Sequence, residues 1–365
     1  MSSKKEDIIK IWKESFADSP EYVDMFFRQV YLDEEALILQ DAEGRTVSSL
    51  LLQEFEMSFH GSLLPVSYLC GAATRRRDRG KGYMSELMRD ALRHAAERGD
   101  MMVALIPARS ALYFFYDKFG FSTVFYTKEQ RFTSAHTFPF EGDFEAVRDV
   151  DPLSERVREA FDRLQRARSC YIRHSQRDFT NIIADLRMDG GDFVVVDTPD
   201  PEAPDGRRIA AMVWAVYKRG DDLLLVNDVM GDSEPARMAA LRELRRLHSD
   251  TPFLLYGRPT DTLGGRLMPR GMGRVVNARM LLDAVAAAYP DFKCRIRVSD
   301  PELPDINSHT YIISRGAVET DDTYDGRLDF DVSIEVLAAM AFSAPATGEM
   351  LGFPACRPML SLMLD

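Results

Sequence analysis

The chain has 365 residues, 45% of them hydrophobic and 28% charged, with a formal charge of −12. That is the composition of a globular protein of two or three domains. A pI near 5.1 argues against general affinity for nucleic acid or acidic membranes. Cys70, Cys170, Cys294 and Cys356 are far apart, which favours core thiols over disulfides or zinc ligands, and the six histidines lack metal-ligand spacing. No metal is expected. With no signal-peptide pattern and no apolar run of membrane-spanning length, the expected compartment is the cytoplasm.

Taken in order, Asp7 to Phe16 reads as a short amphipathic helix. Ser19-Pro20 opens a second helix through Val30, the serine as cap and the proline as first helical residue. Strands are predicted at Ala36–Gln40 and Thr46–Glu56, and His60-Gly61 turns the chain into the buried strand 66–73. Tyr83, Met84, Leu87, Met88, Ala91, Leu92 and Ala95 then recur at helical spacing, and Gly99 stops that helix as a left-handed residue. Met101 to Pro107 is a second apolar strand. Ser110 is placed as the cap of a helix running to Phe119.

Between the strand and the helix lies Arg75-Arg76-Arg77-Asp78-Arg79-Gly80-Lys81-Gly82, five cations against one acid in an acidic protein. Glycines admit close backbone approach, and a helix N-terminus presents unpaired N–H groups with the positive end of its dipole. The loop therefore reads as a local phosphate site. Its spacing, Arg-x-x-Gly-x-Gly, is neither the dinucleotide-binding nor the P-loop fingerprint.

Arg77-x-x-Gly80-x-Gly82 followed by Tyr116-x-x-x-Gly120-Phe121 resembles the GCN5-related N-acetyltransferases (GNAT). The resemblance implies acetyl-CoA as cosubstrate, held by Arg77, Arg79, Gly80, Lys81, Gly82, Tyr83 and Met84, with the backbone of Cys70, Ala72 and Ala73 along the pantetheine arm. An N–H of Ala72 or Ala73 would polarise the thioester carbonyl. Tyr116 would be the acid that protonates the leaving thiolate, a phenol being protonated at neutral pH. Tyr113, one turn away, competes for that role.

Residues 144–282 repeat the plan: helices near 152–165 and 177–188, strands at 193–197, 209–218 and 223–229, a helix at 236–248 and a strand at 253–256. Here the loop is Gly231-Asp232-Ser233-Glu234-Pro235, acidic and lacking the Arg-x-x-Gly-x-Gly spacing, so this half is expected not to bind CoA. Beyond residue 282, strands are predicted at 295–298, 310–314 and 328–334, with helices at 336–342 and 358–364. Arg274-Val-Val-Asn277-Ala-Arg279, Val298-x-Asp300 and Asn307-x-x-Thr310-Tyr311 extend the resemblance to the enhanced intracellular survival (Eis) family.

That resemblance implies an α/β (α+β) architecture: an active GNAT domain at 1–143, a degenerate GNAT-like domain at 144–282 and a sterol carrier protein-like domain at 283–365. It also implies a homohexamer and a C-terminal carboxylate that enters the active site. The family ends in an aromatic residue, whereas Asp365 here adds a second carboxylate. The base is therefore open between the terminal carboxylate, the Asp365 side chain, Glu54, Glu56 and a water. Glu54 and Glu56 alternate on one strand and are also candidates to bind substrate.

The expected activity is acetyl transfer to a primary amine of a cationic molecule such as an aminoglycoside, a polyamine or a lysine side chain. The alternative is an acyl-CoA or lipid sensor with a vestigial site. A nucleic-acid role fails on charge and on the lack of interleaved aromatics.

Overall fold

A computed structural model describes residues 3–261, 264–342 and 351–364. Contacts group these described residues into two compact units, one drawn from 3–125 and 269–358 and the other from 126–268 and 359–364. The three-segment division expected from the sequence stands beside this grouping as a proposal.

The first unit opens with α1 (Lys4–Ser15), capped by Ser3 in a capping box with Glu6. Helix α2 (Pro20–Met25) starts on the Ser19 cap and proline as predicted, but from Phe26 to Val30 it widens into π-helical turns. Strands β1 (Ala36–Gln40), β2 (Thr46–Phe59) and β3 (Ser62–Thr74) form an antiparallel meander. The β2–β3 hairpin turns on His60 and Gly61, both at positive φ, 48° and 85°. That is the backbone a two-residue primed turn requires. Helix α3 (Tyr83–Arg98) buries Leu87, Met88, Ala91, Leu92 and Ala95, the face the periodicity predicts, and ends on Gly99 at φ 91°.

Strand β4 (Met102–Leu105) runs parallel to β3, and helix α4 (Ser110–Asp117) follows. Ser110 is not the cap: Arg109 occupies that position, and no side chain caps the helix. Strand β5 (Ser122–Phe132) begins in the first unit and continues as residues 126–132 of the second.

In the second unit come β6 (Glu145–Ala146), α5 (Glu155–Arg166), β7 (Tyr171–Arg173), α6 (Gln176–Met188), β8 (Asp192–Pro199), β9 (Arg207–Lys218), β10 (Leu223–Gly231), α7 (Glu234–Leu247) and β11 (Phe253–Gly257). Its strands are ordered β5-β11-β10-β9-β8-β6. As in the first unit, an antiparallel meander (β8–β9–β10) leads through a loop and a helix to a parallel neighbour, β11 on β10. The tail returns here: Met359 bridges Tyr171, and its N–H donates to the Cys170 carbonyl at 3.0 Å. Residues 358–364 do not form the predicted helix: beyond the bridge at Met359 they follow an irregular path that bends at Leu362, φ 57°. Ser361 Oγ donates to Asp228 at 2.7 Å, Arg168 pairs with Asp228 at 2.6 Å, and Leu362 packs on the core around Phe161 and Trp214.

The chain re-enters the first unit along β12 (Arg266–Val275), whose Met272–Val275 pair with β4, so these residues complete a sheet ordered β1-β2-β3-β4-β12. After α8 (Ala278–Ala288), strands β13 (Cys294–Ser299), β14 (Thr310–Ser314), β15 (Ala317–Thr320) and β16 (Phe330–Ser333) form a separate sheet ordered β15-β14-β13-β16. Short α9 (Pro304–Asn307) and α10 (Ile334–Ala341) pack against it. Mixed sheets flanked by helices are the α/β (α+β) class expected from the sequence. Three of the four cysteines, Cys70, Cys170 and Cys294, are buried.

Candidate functional site

The site is built where β3 parts from β4. Parallel pairing between them runs from Val66↔Met102 to Tyr68↔Ala104 and stops, while β3 continues for six residues. On its other edge β3 stays paired to β2, but Ser49↔Ala73 and Leu51↔Cys70 leave Gly71 and Ala72 together opposite Leu50. This is a β-bulge, which bends the strand and re-aims its backbone groups. Gly71 has φ +61°, and a Cβ there would stand 2.4 Å from Trp12 Cζ3. The bulge thus demands glycine twice, for its backbone and for the indole beneath it. Trp12 is itself fixed, donating Nε1–H to Asp18 at 2.7 Å and packing on Phe16 and Phe26 at 4.9 Å.

The loop beyond β3 makes one turn of 3₁₀ helix over Arg76–Asp78 and reaches α3 through Gly80 and Gly82, at φ 79° and 88°. A Cβ at either glycine would meet nothing within 4 Å. The left-handed backbone requires glycine, and the space beside it is open. Gly82 is the N-cap of α3 and has no side chain to cap it, so the first N–H groups of the helix face outward with the positive end of its dipole.

The five cations divide their tasks. Arg75, with a side chain 16% exposed, donates to the Thr46 carbonyl at 2.7 Å and to Glu14 at 3.2 Å. Arg76 contacts Glu14 through backbone and side chain. Arg79 reaches the Thr74 carbonyl and Ser15. Arg77 and Lys81 keep 63% and 52% of their side chains exposed and converge on the buried Asp78, at 3.3 and 2.7 Å. The Lys81 hydrogen bond, then that of Arg77, holds the Asp78 carboxyl below its usual range, and Asp78 raises the Lys81 ammonium in turn. The one acid in the loop is its organiser, a role that the tally of five cations against one does not show.

Tyr116 lies on α4 with 7% of its surface exposed, against Phe115 and Phe121. Burial pushes its phenol up to about 12, so it is protonated throughout the neutral range. The core cluster that contains Tyr116 also gathers Ala72, Met84 and Tyr113. The structure therefore brings the bulge, the start of α3 and the phenol into one apolar cluster. Cys70, also on β3, is buried and directs its thiol to Gln53 at 3.4 Å.

Glu54 and Glu56 are exposed on the arm of β2 that leads away from the bulge. Glu54 is paired at 3.1 Å with Arg98, in the last turn of α3, whereas the cation loop adjoins its first. The terminal carboxylate and Asp365 lie outside the described residues. Among the described residues no cluster of His, Cys, Asp and Glu could hold a metal ion, and no helix is long and apolar enough to cross a membrane.

The corresponding turn of the second unit is built differently. Ser233 caps α7 by accepting from the Ala236 N–H, Pro235 occupies the first turn, and Asp232 pairs with Arg208. A cavity of about 700 Å³ beside α5 and β9 is lined by Arg156, Arg163, Arg207 and Arg208. Each of the four has an acidic partner: Arg156 pairs with Asp197 and Asp205, Arg163 with Asp232, Arg207 with Asp143 and Glu145, and Arg208 with Asp200 and Asp232.

Residues 2–124 match the family model described as "Acetyltransferase (GNAT) domain". This stretch holds both glycine-bearing signatures. No curated protein is significantly similar to the chain in sequence. Among solved structures, a GCN5-related N-acetyltransferase from Anabaena variabilis aligns over 99% of this chain and 98% of its own, at TM-score 0.77 and 15% identity. Eis1 from Mycobacterium abscessus aligns over 97% and 92%, at TM-score 0.72 and 16% identity. A GCN5-related N-acetyltransferase from Kribbella flavida aligns over 98% and 95%, at TM-score 0.70 and 16% identity. At such identities the likeness is one of fold, and it extends over nearly the whole chain.

Proposed function

We propose that the protein is an acetyl-CoA-dependent N-acetyltransferase that moves the acetyl group directly to a primary amine of a cationic molecule, an aminoglycoside, a polyamine or a lysine side chain. The observation that carries this is the open, left-handed Gly80/Gly82 loop at an uncapped helix start, next to a bulged strand that shares an apolar cluster with a buried, protonated tyrosine. Phosphates fit the loop because Arg77 and Lys81 are exposed there and nothing fills the space that a glycine Cβ would occupy.

In this reading Arg77, Arg79, Lys81 and the N–H groups from Gly80 to Met84 hold the pyrophosphate. Cys70 to Ala73 offer backbone to the pantetheine arm, and Ala72 or Ala73 donates an N–H to the carbonyl as it gains negative charge. The amine attacks as the free base, the C–S bond breaks, and Tyr116 delivers its proton to the departing sulfur. The amine's surplus proton leaves through the C-terminal carboxylate, the Asp365 side chain, Glu54, Glu56 or a water. The 144–282 segment is a degenerate repeat that does not hold CoA, and 283–365 is a sterol carrier protein-like segment. We place the protein in the cytoplasm as a homohexamer.

The test combines calorimetric titration with CoA and mass spectrometry of a panel of aminoglycosides, polyamines and lysine peptides incubated with acetyl-CoA. Wild type is compared with a chain lacking its last three residues. CoA binding together with an acetylated amine supports the reading, and loss of product on truncation assigns the base to the tail. CoA binding without any acetylated amine replaces the enzyme with an acyl-CoA sensor.

A further inference from the structure

Arg274 is fully buried near the end of β12, in an otherwise apolar stretch, Gly271-Met-Gly-Arg-Val-Val276. Its guanidinium spends three donors on three acceptors. Nε donates to the Phe119 carbonyl at 2.6 Å, Nη1 to the Val275 carbonyl, and Nη2 to Asp300 Oδ1 at 2.6 Å. Asp300 is as deeply buried and also accepts the N–H groups of Glu302 and Leu303 and the Asn307 amide at 2.8 Å. Asn307 in turn accepts the Ala278 N–H at 2.8 Å and donates to the Val276 carbonyl. The Arg-Val-Val-Asn and Val-x-Asp motifs are thus two halves of one hydrogen-bonded network.

Its end point is the turn that closes α4. The Phe119 N–H donates to the Tyr116 carbonyl at 2.9 Å, so Phe119 and Tyr116 belong to the same turn. Gly120 follows at φ +77°, and a Cβ there would stand 2.8 Å from Arg274 Nε. The glycine of the Tyr-x-x-x-Gly-Phe signature is therefore required by an arginine some 150 residues later in the chain. A second tie comes from Arg89, which lies 5.5 Å over the Phe119 ring and pairs with Glu302 at 3.1 Å.

We infer that Arg274 and Asp300 are positioning residues: the buried pair grips the Phe119 carbonyl and so fixes the orientation in which Tyr116 presents its hydroxyl. The inference rests on the acid role proposed for Tyr116. Three acceptors in three directions need the rigid fork of a guanidinium, which a lysine ammonium does not reproduce. A buried pair is weak evidence for stability as such, and this one is spent on a carbonyl in the turn that carries Tyr116.

The experiment uses the full chain with Arg274→Lys, Asp300→Asn and, as a control, Val298→Ala, which opens a cavity in the same segment without touching Phe119. The first readout is the tyrosine Cζ resonance of Tyr116 in ¹³C-labelled protein, assigned by its loss in Tyr116→Phe. The second is the split between kcat and KM for acetyl-CoA. In Arg274→Lys and Asp300→Asn the Tyr116 resonance moves and kcat falls by about tenfold or more, while KM stays within about twofold, because a misplaced group costs rate before binding. Val298→Ala lowers the melting temperature and leaves both readouts in place.

An unmoved Tyr116 resonance in both variants, or a fall in kcat that Val298→Ala reproduces at equal destabilisation, overturns the inference. If Arg274→Lys does not fold, Asp300→Asn decides. If wild type acetylates no amine, the resonance alone decides, and the failure then belongs to the proposed activity.

Discussion

Replacing Gly71 by alanine separates the two demands that the bulge makes on this residue. At φ +61° an alanine pays the left-handed cost of about 1–2 kcal/mol. Its Cβ would also lie 2.4 Å from Trp12 Cζ3, and overpacking a filled core costs about 1–3 kcal/mol more. The expected destabilisation is therefore about 2–5 kcal/mol, a large part of the roughly 5–15 kcal/mol that holds a domain together. Gly80→Ala is the built-in control, with a similar φ of +79° and no atom within 4 Å of the added methyl, so only the first cost of about 1–2 kcal/mol applies. Urea denaturation of both variants, in wild-type and Trp12→Phe backgrounds, closes a double-mutant cycle. The Gly71–Trp12 coupling is expected to equal the packing cost, while Gly80 and Trp12 do not couple. Equal midpoints for the two alanine variants, or zero coupling at Gly71, would refute the close-approach argument.

The cations give a second contrast. Arg77→Ala and Lys81→Ala are expected to raise KM for acetyl-CoA severalfold with kcat nearly unchanged, and more so at low salt, since exposed charges are screened. Arg75→Ala, whose side chain is committed to Glu14 and the Thr46 carbonyl, is expected to lower the melting temperature instead. In the second unit, Asp228→Asn leaves the buried Arg168 guanidinium without its counter-charge, at a cost of about 3–5 kcal/mol. It also leaves one acceptor oxygen for the donors of Arg168 and Ser361 where there were two, so limited proteolysis is expected to clip the C-terminus faster. The tail should loosen with acid as well. Burial holds the His174 ring, which lies 2.9 Å from the Ser361 carbonyl, below its usual 6.5. A depressed histidine binds protons in the unfolded state first, so stability falls as pH drops below 6.5. Tail proteolysis that is flat between pH 7.5 and pH 5.5 would contradict this.

Much of the site was legible because its chemistry is local. The strand–loop–helix joint, the two loop glycines, the buried face of α3 and the Gly99 stop follow from spacing and residue type within some thirty positions. Tyr116 came from the resemblance, since periodicity alone does not distinguish it from the core aromatics beside it. What sequence reasoning missed is what distant segments supply. Trp12 under Gly71, Glu14 on Arg75 and Asp78 as the centre of the loop need three dimensions to be seen. Arg274 leaves a trace, an arginine between Met272 and Val275 in an apolar stretch, which by the cost of a buried charge calls for a partner, but its target at Phe119 leaves none. Strands β5 and β12 are not legible in the sequence because neither shows strict alternation: Lys128, Glu129 and Arg131 interrupt the first, and Pro269, Gly271 and Gly273 interrupt the second. The apolar composition of the tail predicts a helix, whereas the bridge to Tyr171 and the Ser361 contacts hold it in an irregular, non-helical path.

The central claim is that Tyr116 hands a proton to the thiolate of CoA during transfer to an amine. The measurement that tests it most directly is thiol release from acetyl-CoA, followed from pH 6 to pH 10 with the best amine, for wild type and Tyr116→Phe. With the phenol pushed up to about 12, the wild-type rate is expected to rise as the amine loses its proton and to show no alkaline fall from Tyr116 below pH 10. Tyr116→Phe is expected to lose about 10²–10⁴-fold in kcat with KM for acetyl-CoA unchanged. A Tyr116→Phe enzyme that releases thiol at the wild-type rate, or whose loss lies wholly in KM, would contradict the account.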